Sequence, residues 1–307
     1  MRHLLVIGSR GSKLALWQAN WIRTLVSRFH PKVTVEIEII RTTGDVTTEP
    51  LSVIGGKGVF TKELEDALLA GRIDLAVHSL KDLPTNLPDL LTIAAICERE
   101  DARDALVLRE AQTLSSVNEL PTGAVVGTSS QRRLAQLKYL RRDVVIKDVR
   151  GNVDTRLRKL DEGQYDALIL AAAGLRRLGL ESRISALIAT EEMLPAVGQG
   201  ALAVEARAND RSTIALVSPL NHAATQIACA SERAFLRALG GGCQLPIAGY
   251  AVDSGNQLVL QGLVANPLGQ EIVRGKLTGS TAGAEELGSQ LAHQLLKRGG
   301  DRLLGEQ

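Results

Sequence analysis

Short apolar runs alternate with amphipathic stretches along most of the chain. Runs at residues 3–8 and 33–40 have the continuous or alternating apolar patterns of β-strands. Between them, apolar residues at helical spacing predict a helix that is capped by Ser12 and ends near Phe29. The apolar stripe of this helix is predicted to be Leu14, Trp17, Trp21, Leu25 and Phe29. A strand, a helix and a second strand in this order are typical of an α/β fold.

The same alternation continues to about residue 206. Further strands are predicted at 73–77, 91–97, 123–127, 144–149, 165–171 and 201–206, and helices at 61–70, 128–140 and 154–162. A weak internal repeat favours two similar α/β halves, because residues 61–77 and 155–170 both run helix, glycine, an Asp-containing pair and apolar strand. Units of the βαβ type also resemble one another without any such relationship.

The pattern changes near residue 218. A helix is predicted at 222–239, a glycine-rich turn follows, and strands at 247–252, 257–264 and 271–277 precede a last helix at 282–297. We therefore expect α/β domains at 1–98 with 199–217 and at 99–198, and a smaller α+β domain with an antiparallel sheet at 218–307. The charged run at 98–104 is suited to a hinge between the first two domains.

Composition argues against several classes of protein. A net charge of +2 and an aromatic content of 3% are low for a general nucleic-acid binder or a base-stacking surface. No apolar run has the length of a membrane span, and the first residues lack the features of a signal peptide. The cysteines Cys97, Cys229 and Cys243 lack the spacing of a disulfide framework or a zinc site. The chain is therefore predicted to be cytoplasmic, without a metal, and to bind neither nucleic acid nor membranes.

The strand at 73–77 runs directly into polar residues. His78, Ser79, Lys81 and Asp82 follow it, and Pro84 prevents a helix from carrying them away from the strand end. Ligands of open α/β sheets bind at the carboxyl ends of the strands. Two interpretations stand, a functional site and a solvated loop with an exposed Lys–Asp pair.

Arginines recur at the ends of the predicted elements. They are Arg10, Arg132, Arg133, Arg150, Arg156, Arg176 and Arg177. Guanidinium groups bind carboxylates or phosphates through paired hydrogen bonds, so the set predicts a polyanion site, although any one of them also fits a solvated surface position. The phosphate-loop and dinucleotide-binding glycine motifs are absent from the sequence.

Two glycine-rich segments are further candidates. Residues 55–58 either let the backbone approach a ligand closely or form a surface hinge. Cys243 follows three glycines, where an accessible thiol is a candidate for covalent attachment. Cys97 and Cys229 have the apolar neighbours of core residues.

Ordered motifs along the whole chain resemble the porphobilinogen deaminase (hydroxymethylbilane synthase) family. They are residues 9–18 (SRGSKLALWQ), 55–60 (GGKGVF), 78–82 (HSLKD), 97–101 (CERED), 127–133 (GTSSQRR), 150–152 (RGN), 194–200 (LPAVGQG) and 241–246 (GGCQLP). Gly11 and Gln131 stand where relatives often carry Gln and Leu, which leaves only local contacts in doubt.

The resemblance implies two doubly wound α/β domains of the type II periplasmic-binding-protein kind around a cleft, and a smaller α+β domain. It implies a monomeric transferase of tetrapyrrole (porphyrin and haem) synthesis that joins four porphobilinogen molecules, with loss of ammonia, and releases hydroxymethylbilane by hydrolysis. The primer would be a dipyrromethane cofactor held through a thioether to Cys243.

The resemblance also assigns residue roles. Asp82 would be catalytic. The cofactor would contact Lys81, Ser79, Thr128, Ser129, Ser130, Arg132, Arg133 and Gly200. The substrate would contact Arg10, Ser12, Gln18, Lys57, Phe60, Arg150, Asn152, Arg156, Arg177 and Gln199.

A second function class also fits an anion site in a cleft. The alternative is a non-catalytic clamshell protein that binds a small anionic ligand, as transport receptors do. The predicted lack of a signal peptide and the thiol in a glycine-rich turn count against it.

Overall fold

The computed structural model describes residues 4–46, 58–109, 114–242, 245–255 and 257–305. Lys57 and Cys243, and most of the glycine-rich segment 55–58, therefore lie outside the described residues. The chain divides into two compact units, Met1–Arg99 with Ala201–Gln226 and Glu100–Gly200 with Ile227–Gln307.

The strands and helices follow the predicted alternation. The strands are β1 (Leu4–Ser9), β2 (Thr34–Ile39), β3 (Leu75–Ser79), β4 (Leu91–Ile96), β5 (Asp104–Leu108), β6 (Val125–Gly127), β7 (Val145–Lys147), β8 (Ala167–Ala171), β9 (Ala186–Leu187), β10 (Leu202–Arg207), β11 (Ile247–Asp253), β12 (Gln257–Ala265) and β13 (Ile272–Ser280). The helices are α1 (Lys13–Phe29), α2 (Thr43–Val46), α3 (Lys62–Leu69), α4 (Gln131–Leu140), α5 (Val153–Asp161), α6 (Ala172–Arg177), α7 (Arg211–Val217), α8 (Ala223–Ala238), α9 (Ala284–Leu295) and α10 (Asp301–Gly305).

The first unit is built on a sheet in the strand order β2-β1-β3-β10-β4. β1 is parallel to β2 and to β3, whereas β10 is antiparallel to β3 and to β4. On one face, α1 buries Ile22 and Val26 against the sheet, and on the other face α3 buries Leu64 and Leu68. Each fully buried Leu or Ile side chain stabilises the unit by about 1.5–3 kcal/mol. The helices on both faces hold the strands in place and so fix the positions of the polar residues that follow the strand ends.

The helix α1 is confirmed, but its predicted apolar stripe is only partly correct: Trp17 and Leu25 are partly buried against the core, and the fully buried positions are different ones. α1 buries Ala15, Gln18, Ala19, Ile22 and Val26, a set that contains none of the large residues predicted for the stripe. Two of those predicted residues, a tryptophan and a phenylalanine, are 44% and 50% exposed. The small alanines let the helix backbone approach the sheet closely, so the bulky residues are left at the flank and on the outer surface. There, two tryptophan rings stack with their centroids 5.6 Å apart.

The second unit repeats the topology of the first. Its sheet has the order β7-β6-β8-β5-β9, with β6 parallel to β7 and β8, and with β5 antiparallel to β8 and β9. The predicted internal repeat recurs in side-chain detail. Asp74 accepts a hydrogen bond from the backbone N–H of Val6 at 2.9 Å, and Asp166 accepts one from Val125 at 2.8 Å. In both halves an aspartate just before the strand ties it to the parallel strand beside it.

The sequence did not predict β5, β9 or α7. Every residue of β5 is buried, including its first residue, Asp104. The aspartate made this position look like the end of the charged run at 98–104, because a buried carboxylate is not expected without its partners.

The C-terminal part of the second unit holds the antiparallel sheet β11-β12-β13. α8 and α9 pack on it around Phe235 and Leu291, both fully buried. Gly262 of β12 lies under the Phe235 ring, where an added Cβ would be 2.6 Å from the ring. Glycine is therefore required at this point for the helix to approach the sheet.

The fold class predicted from the sequence is confirmed: α/β units with helices on both faces of each mixed sheet, and a small antiparallel sheet at the C-terminus. The division into three domains stays a prediction. Within the described residues, no helix has the length and apolar character needed to cross a membrane.

Candidate active site

A cleft opens in the first unit where β1 and β3 end. The residues that line the cleft are Arg10, Ser12, Leu14, Ala15, Gln18, Phe60, Thr61, Val77, His78, Ser79 and Asp82. The fold thus brings the predicted catalytic residue together with predicted ligand-binding residues from three separate segments of the chain.

Asp82 ends a short 3-10 turn, Leu80–Asp82, that follows β3 directly. Leu80 and Leu83 are 1% and 3% exposed, so buried apolar side chains anchor the turn on both sides of the acid. The Asp82 side chain itself is exposed and lines the cleft. Lys81 is half-buried on the same turn. A carboxylate held in this way can meet a ligand without a change in the backbone.

The other polar residues of the cleft are held by local contacts. The Arg10 guanidinium lies over the Phe60 ring, with its central carbon 4.3 Å from the ring centroid. Ser12 caps α1 by accepting a hydrogen bond from a backbone N–H in its first turn. Gln18 donates from Nε2 to Ser79 Oγ at 2.8 Å, which joins α1 to the end of β3. The cleft therefore presents a cation, hydroxyls and a carboxylate in fixed positions.

Ionisable side chains are buried on the α3 face of the sheet, next to this cleft. His78 Nε2 lies 3.0 Å from Glu205 Oε2, with the two side chains 4% and 0% exposed. Glu65 of α3 is close to both groups. Burial raises the pKa of the Glu65 carboxyl, and the nearby Glu205 charge raises it further.

In the second unit, the predicted hydroxyl residues follow β6. Thr128 Oγ1 accepts a hydrogen bond from the Ser130 N–H at 3.2 Å, and Ser130 in turn caps α4. Ser129 Oγ donates to Val149 O at 2.6 Å and accepts from the Val149 N–H at 3.2 Å. These contacts tie the start of α4 to the segment after β7 and fix the arginines that follow.

Arg132 and Arg133 are buried and share one carboxylate, that of Asp104. Arg132 donates from Nη1 to Asp104 Oδ2 at 2.6 Å, and Arg133 donates from Nη2 to Asp104 Oδ1 at 2.8 Å. Burial by itself would raise the pKa of the Asp104 carboxyl, but the two guanidinium charges outweigh burial and hold that pKa well below its usual range. The carboxylate is therefore ionised throughout the neutral pH range.

Gln199, Gly200 and Arg177 lie in the interior of the second unit. Gln199 is fully buried and donates from Nε2 to Ala102 O at 2.7 Å and to Asp104 Oδ1 at 2.9 Å. Arg177 is 9% exposed and donates to Gly200 O at 2.6 Å. The assignment of these residues to ligand binding stays a prediction.

Arg150, Asn152 and Arg156 meet at the turn that begins α5. Asn152 is the N-terminal cap position of the helix, Arg150 donates from Nε to Asp148 Oδ2 at 3.0 Å, and Arg156 donates from Nε to Gly151 O at 2.8 Å. All three side chains reach the surface of the unit. Arg176, in contrast, donates from Nη1 to a Glu100 carboxylate oxygen at 2.9 Å and also pairs with Glu181.

Comparison with known proteins identifies the family. Residues 5–215 match the family model of the porphobilinogen deaminase dipyrromethane cofactor-binding domain, and residues 226–297 match that of the porphobilinogen deaminase C-terminal domain. The chain belongs to the porphobilinogen deaminase family. A porphobilinogen deaminase of Roseiflexus sp. (strain RS-1) is 52% identical over 305 residues, which is 99% of each chain. The family predicted from the sequence motifs is confirmed.

Solved structures to which the chain is similar include periplasmic binding domains. The aliphatic sulphonate binding protein SsuA of Escherichia coli has a TM-score of 0.40 and 16% identity, over 77% of this chain and 70% of that one. The periplasmic VFT2 domain of Bordetella pertussis BvgS has a TM-score of 0.42 and 13% identity, over 71% of this chain and 86% of that one. Likeness at this level carries no argument about ligands.

The buried arginine pair fits a cofactor that carries carboxylates, as the acetate and propionate groups of a dipyrromethane do. Two guanidinium groups face one aspartate, which leaves an excess of positive charge in the interior of the unit. In addition, Arg132 Nε is buried and has no hydrogen-bond partner among the described residues. An anionic group would balance the excess positive charge and would give Arg132 Nε a hydrogen-bond acceptor.

The sequence analysis did not predict that the acids Asp104 and Glu205 are buried. Each is separated by many residues from its partners: Asp104 lies 28 and 29 positions from the arginines, and Glu205 lies 127 positions from His78. The available signal was an acidic residue at the start of an apolar run (Asp104) or within one (Glu205), which predicts a buried carboxylate that requires a cation or a donor nearby.

Proposed function

We propose that the chain is a hydroxymethylbilane synthase that joins four porphobilinogen molecules head to tail, releases ammonia at each step, and frees hydroxymethylbilane by hydrolysis. Membership of the porphobilinogen deaminase family supports the reaction. The observation that carries the residue assignment is the cleft in which Asp82 meets Arg10, Ser12 and Ser79.

Asp82 is the acid–base residue in this proposal. Loss of ammonia from porphobilinogen leaves a positive charge that is delocalised over the pyrrole ring and its nitrogen. A carboxylate exposed in the cleft stabilises this cation and accepts the proton that is released when the new carbon–carbon bond forms. The buried anchors of its turn, Leu80 and Leu83, keep the carboxylate in place through repeated additions.

Arg10 and Ser12 hold the carboxylates of the substrate. Stacking on Phe60 limits the positions open to the Arg10 guanidinium, so less side-chain freedom is lost when it binds an anion. Lys57, Arg150, Asn152, Arg156, Arg177 and Gln199 complete the proposed set, and Gln18 acts through its bond to Ser79.

Arg132 and Arg133 hold the carboxylates of the dipyrromethane cofactor, with Lys81, Ser79, Thr128, Ser129, Ser130 and Gly200. When it is bound, the cofactor supplies the free pyrrole end to which the first substrate is joined. Cys243 is the proposed attachment point through a thioether. We further propose that the enzyme is a cytoplasmic monomer that needs no metal, nucleic acid or membrane.

Intact-protein mass spectrometry tests the attachment. Purified wild-type protein is expected to exceed its chain mass by two covalently linked pyrrole units, and Cys243→Ser protein is expected to have the bare chain mass and essentially no turnover. The matched control is Cys229→Ser, which changes a buried core cysteine. A wild-type protein with the bare chain mass contradicts the proposed function, and a loaded, active Cys243→Ser protein contradicts the attachment alone.

A further inference from the structure

The carboxylate of Asp104 accepts five hydrogen bonds from three side chains. It receives hydrogen bonds from Arg132 Nη1 at 2.6 Å and Nη2 at 3.2 Å, and from Arg133 Nε at 3.0 Å and Nη2 at 2.8 Å. Gln199 Nε2 adds a further one at 2.9 Å. Asp104 is 0% exposed. One buried carboxylate therefore sets the position of two adjacent guanidinium groups at the same time.

Backbone acceptors fix the other side of each guanidinium. Arg132 Nη1 also donates to Leu194 O at 2.9 Å, and Arg133 Nη1 donates to Ile169 O at 3.0 Å. Both arginines stand in the first turn of α4, and the side chain of each is nearly closed off from solvent. A planar guanidinium group that is held on two sides cannot rotate to meet a ligand. The directions of its remaining N–H groups are therefore fixed before a ligand binds.

The donors that remain are few. Arg132 has Nε without a partner among the described residues, and Arg133 uses only part of the donor capacity of its two terminal nitrogens. A ligand carboxylate must fit these donors as they stand. A displacement of the guanidinium groups would therefore change ligand binding even if the unit stayed folded.

We propose that Asp104 is a positioning residue for cofactor assembly: it holds Arg132 and Arg133 in the arrangement that accepts the carboxylates of the dipyrromethane. This proposal rests on the proposed function, in which the two arginines bind that group. Asp104 itself does not touch the cofactor or the substrate in this role. A purely structural ion pair is the competing explanation, and the two differ in what happens when the charge is kept but moved.

The Asp104→Glu variant distinguishes a positioning role from a purely structural ion pair. It keeps the charge that both arginines require, and it moves the carboxylate by one C–C bond, about 1.5 Å. Full-length protein is produced without cofactor in a host that cannot make porphobilinogen. Porphobilinogen is then added, and the gain of two pyrrole units is followed by intact mass against time. We expect loading to be about 10- to 100-fold slower than in wild type, since a shift of about 1 Å in a positioning group can have an effect of that size.

Leu160→Ala is the matched control for loss of stability. Leu160 is fully buried in the same unit, in a core cluster that contains neither arginine nor Asp104. Melting of each cofactor-free protein is measured, and loading is compared at a temperature at which all of them are folded. The control is expected to melt at or below the temperature of Asp104→Glu and yet to load within about threefold of wild type.

Three results overturn the proposal. They are Asp104→Glu loading at the wild-type rate, the Leu160→Ala control losing loading as severely as Asp104→Glu, and failure of Asp104→Glu to fold at any temperature, which would make the residue structural. Wild-type protein that gains no pyrrole units contradicts the proposed function instead. Asp104→Asn, which removes the charge, should load no faster than Asp104→Glu.

Discussion

Replacement of Asp82 tests the centre of the proposed mechanism. Asp82→Asn keeps the shape and part of the hydrogen bonding of the side chain, but it removes the negative charge and the proton acceptor. Loss of a general acid–base group commonly lowers a rate by a factor of about 10² to 10⁴. In the proposed mechanism the same carboxylate also stabilises the cation that forms when ammonia leaves, so we expect a reduction near the upper end of this range.

Asp82→Glu is expected to have an activity between those of wild type and Asp82→Asn, and neither variant is expected to lose much stability. In Asp82→Glu the carboxylate stays, but it moves by about 1.5 Å, one C–C bond, because buried Leu80 and Leu83 hold the turn. A displacement of this size can reduce a rate up to about 10²-fold, so Asp82→Glu should retain more activity than Asp82→Asn. The side chain is exposed, so both variants should unfold within about 0.5 kcal/mol of wild type.

The assay is single-turnover release of ammonia from protein already loaded with cofactor. Loading is checked by intact mass before each measurement, so that a defect in cofactor assembly is not counted as a defect in chemistry. The expected order of rates is wild type, Asp82→Glu, Asp82→Asn. Ammonia release by Asp82→Asn within a few-fold of wild type would show that another group performs this step.

Three further predictions concern the interior. Glu205→Gln should lower the free energy of unfolding by about 1–3 kcal/mol in a urea titration, because it disturbs the buried hydrogen bond between His78 Nε2 and Glu205 Oε2. Glu65→Gln should gain stability relative to wild type as the pH rises from 4 to 8: the pKa of Glu65 is raised in the folded state, so its contribution is present below its unfolded pKa and is lost as the pH rises through the folded pKa. Gly262→Ala should lower the melting temperature, at a cost of about 1–3 kcal/mol, because the new Cβ would lie 2.6 Å from the Phe235 ring.

Matched variants control these measurements. Glu36 is exposed on β2, and Glu36→Gln should show neither the loss of stability nor the change with pH. Gly283 has a negative φ and no heavy atom within 4 Å of an added Cβ, so Gly283→Ala should melt close to wild type. Equal losses in a control and its test variant would refute the stated cause.

Local chemistry made much of the fold predictable from the sequence. Ser12 marks the start of α1 because its hydroxyl accepts a hydrogen bond from the first turn, and Gly71 marks the end of α3 with a φ of 71° that other residues rarely adopt. The strand before Asp82 is recognisable because an apolar run ends abruptly in polar residues. Each of these signals lies within a few residues of the feature it predicts.

Features that depend on distant partners were not predictable in this way. The buried face of α1 is decided by how closely Ala15 and Ala19 allow it to approach the sheet, and the size of the tryptophans gave the wrong answer. Asp104 is tolerated in the interior only because Arg132 and Arg133 arrive from another element. The local sequence around Asp104 gives no sign of this pairing, because the partners come together only when the chain folds.

The repeated topology separates what the fold needs from what the reaction needs. Asp74 and Asp166 occupy matching places, make matching backbone hydrogen bonds and hold their sheets together in the same way. The halves differ at the strand ends: β3 continues into the turn that presents Asp82, whereas β8 continues directly into α6. Because both sheets have the same topology, the folding of the sheet does not require the turn that presents Asp82 after β3. The exposed carboxylate at the end of β3 is therefore best explained by chemistry.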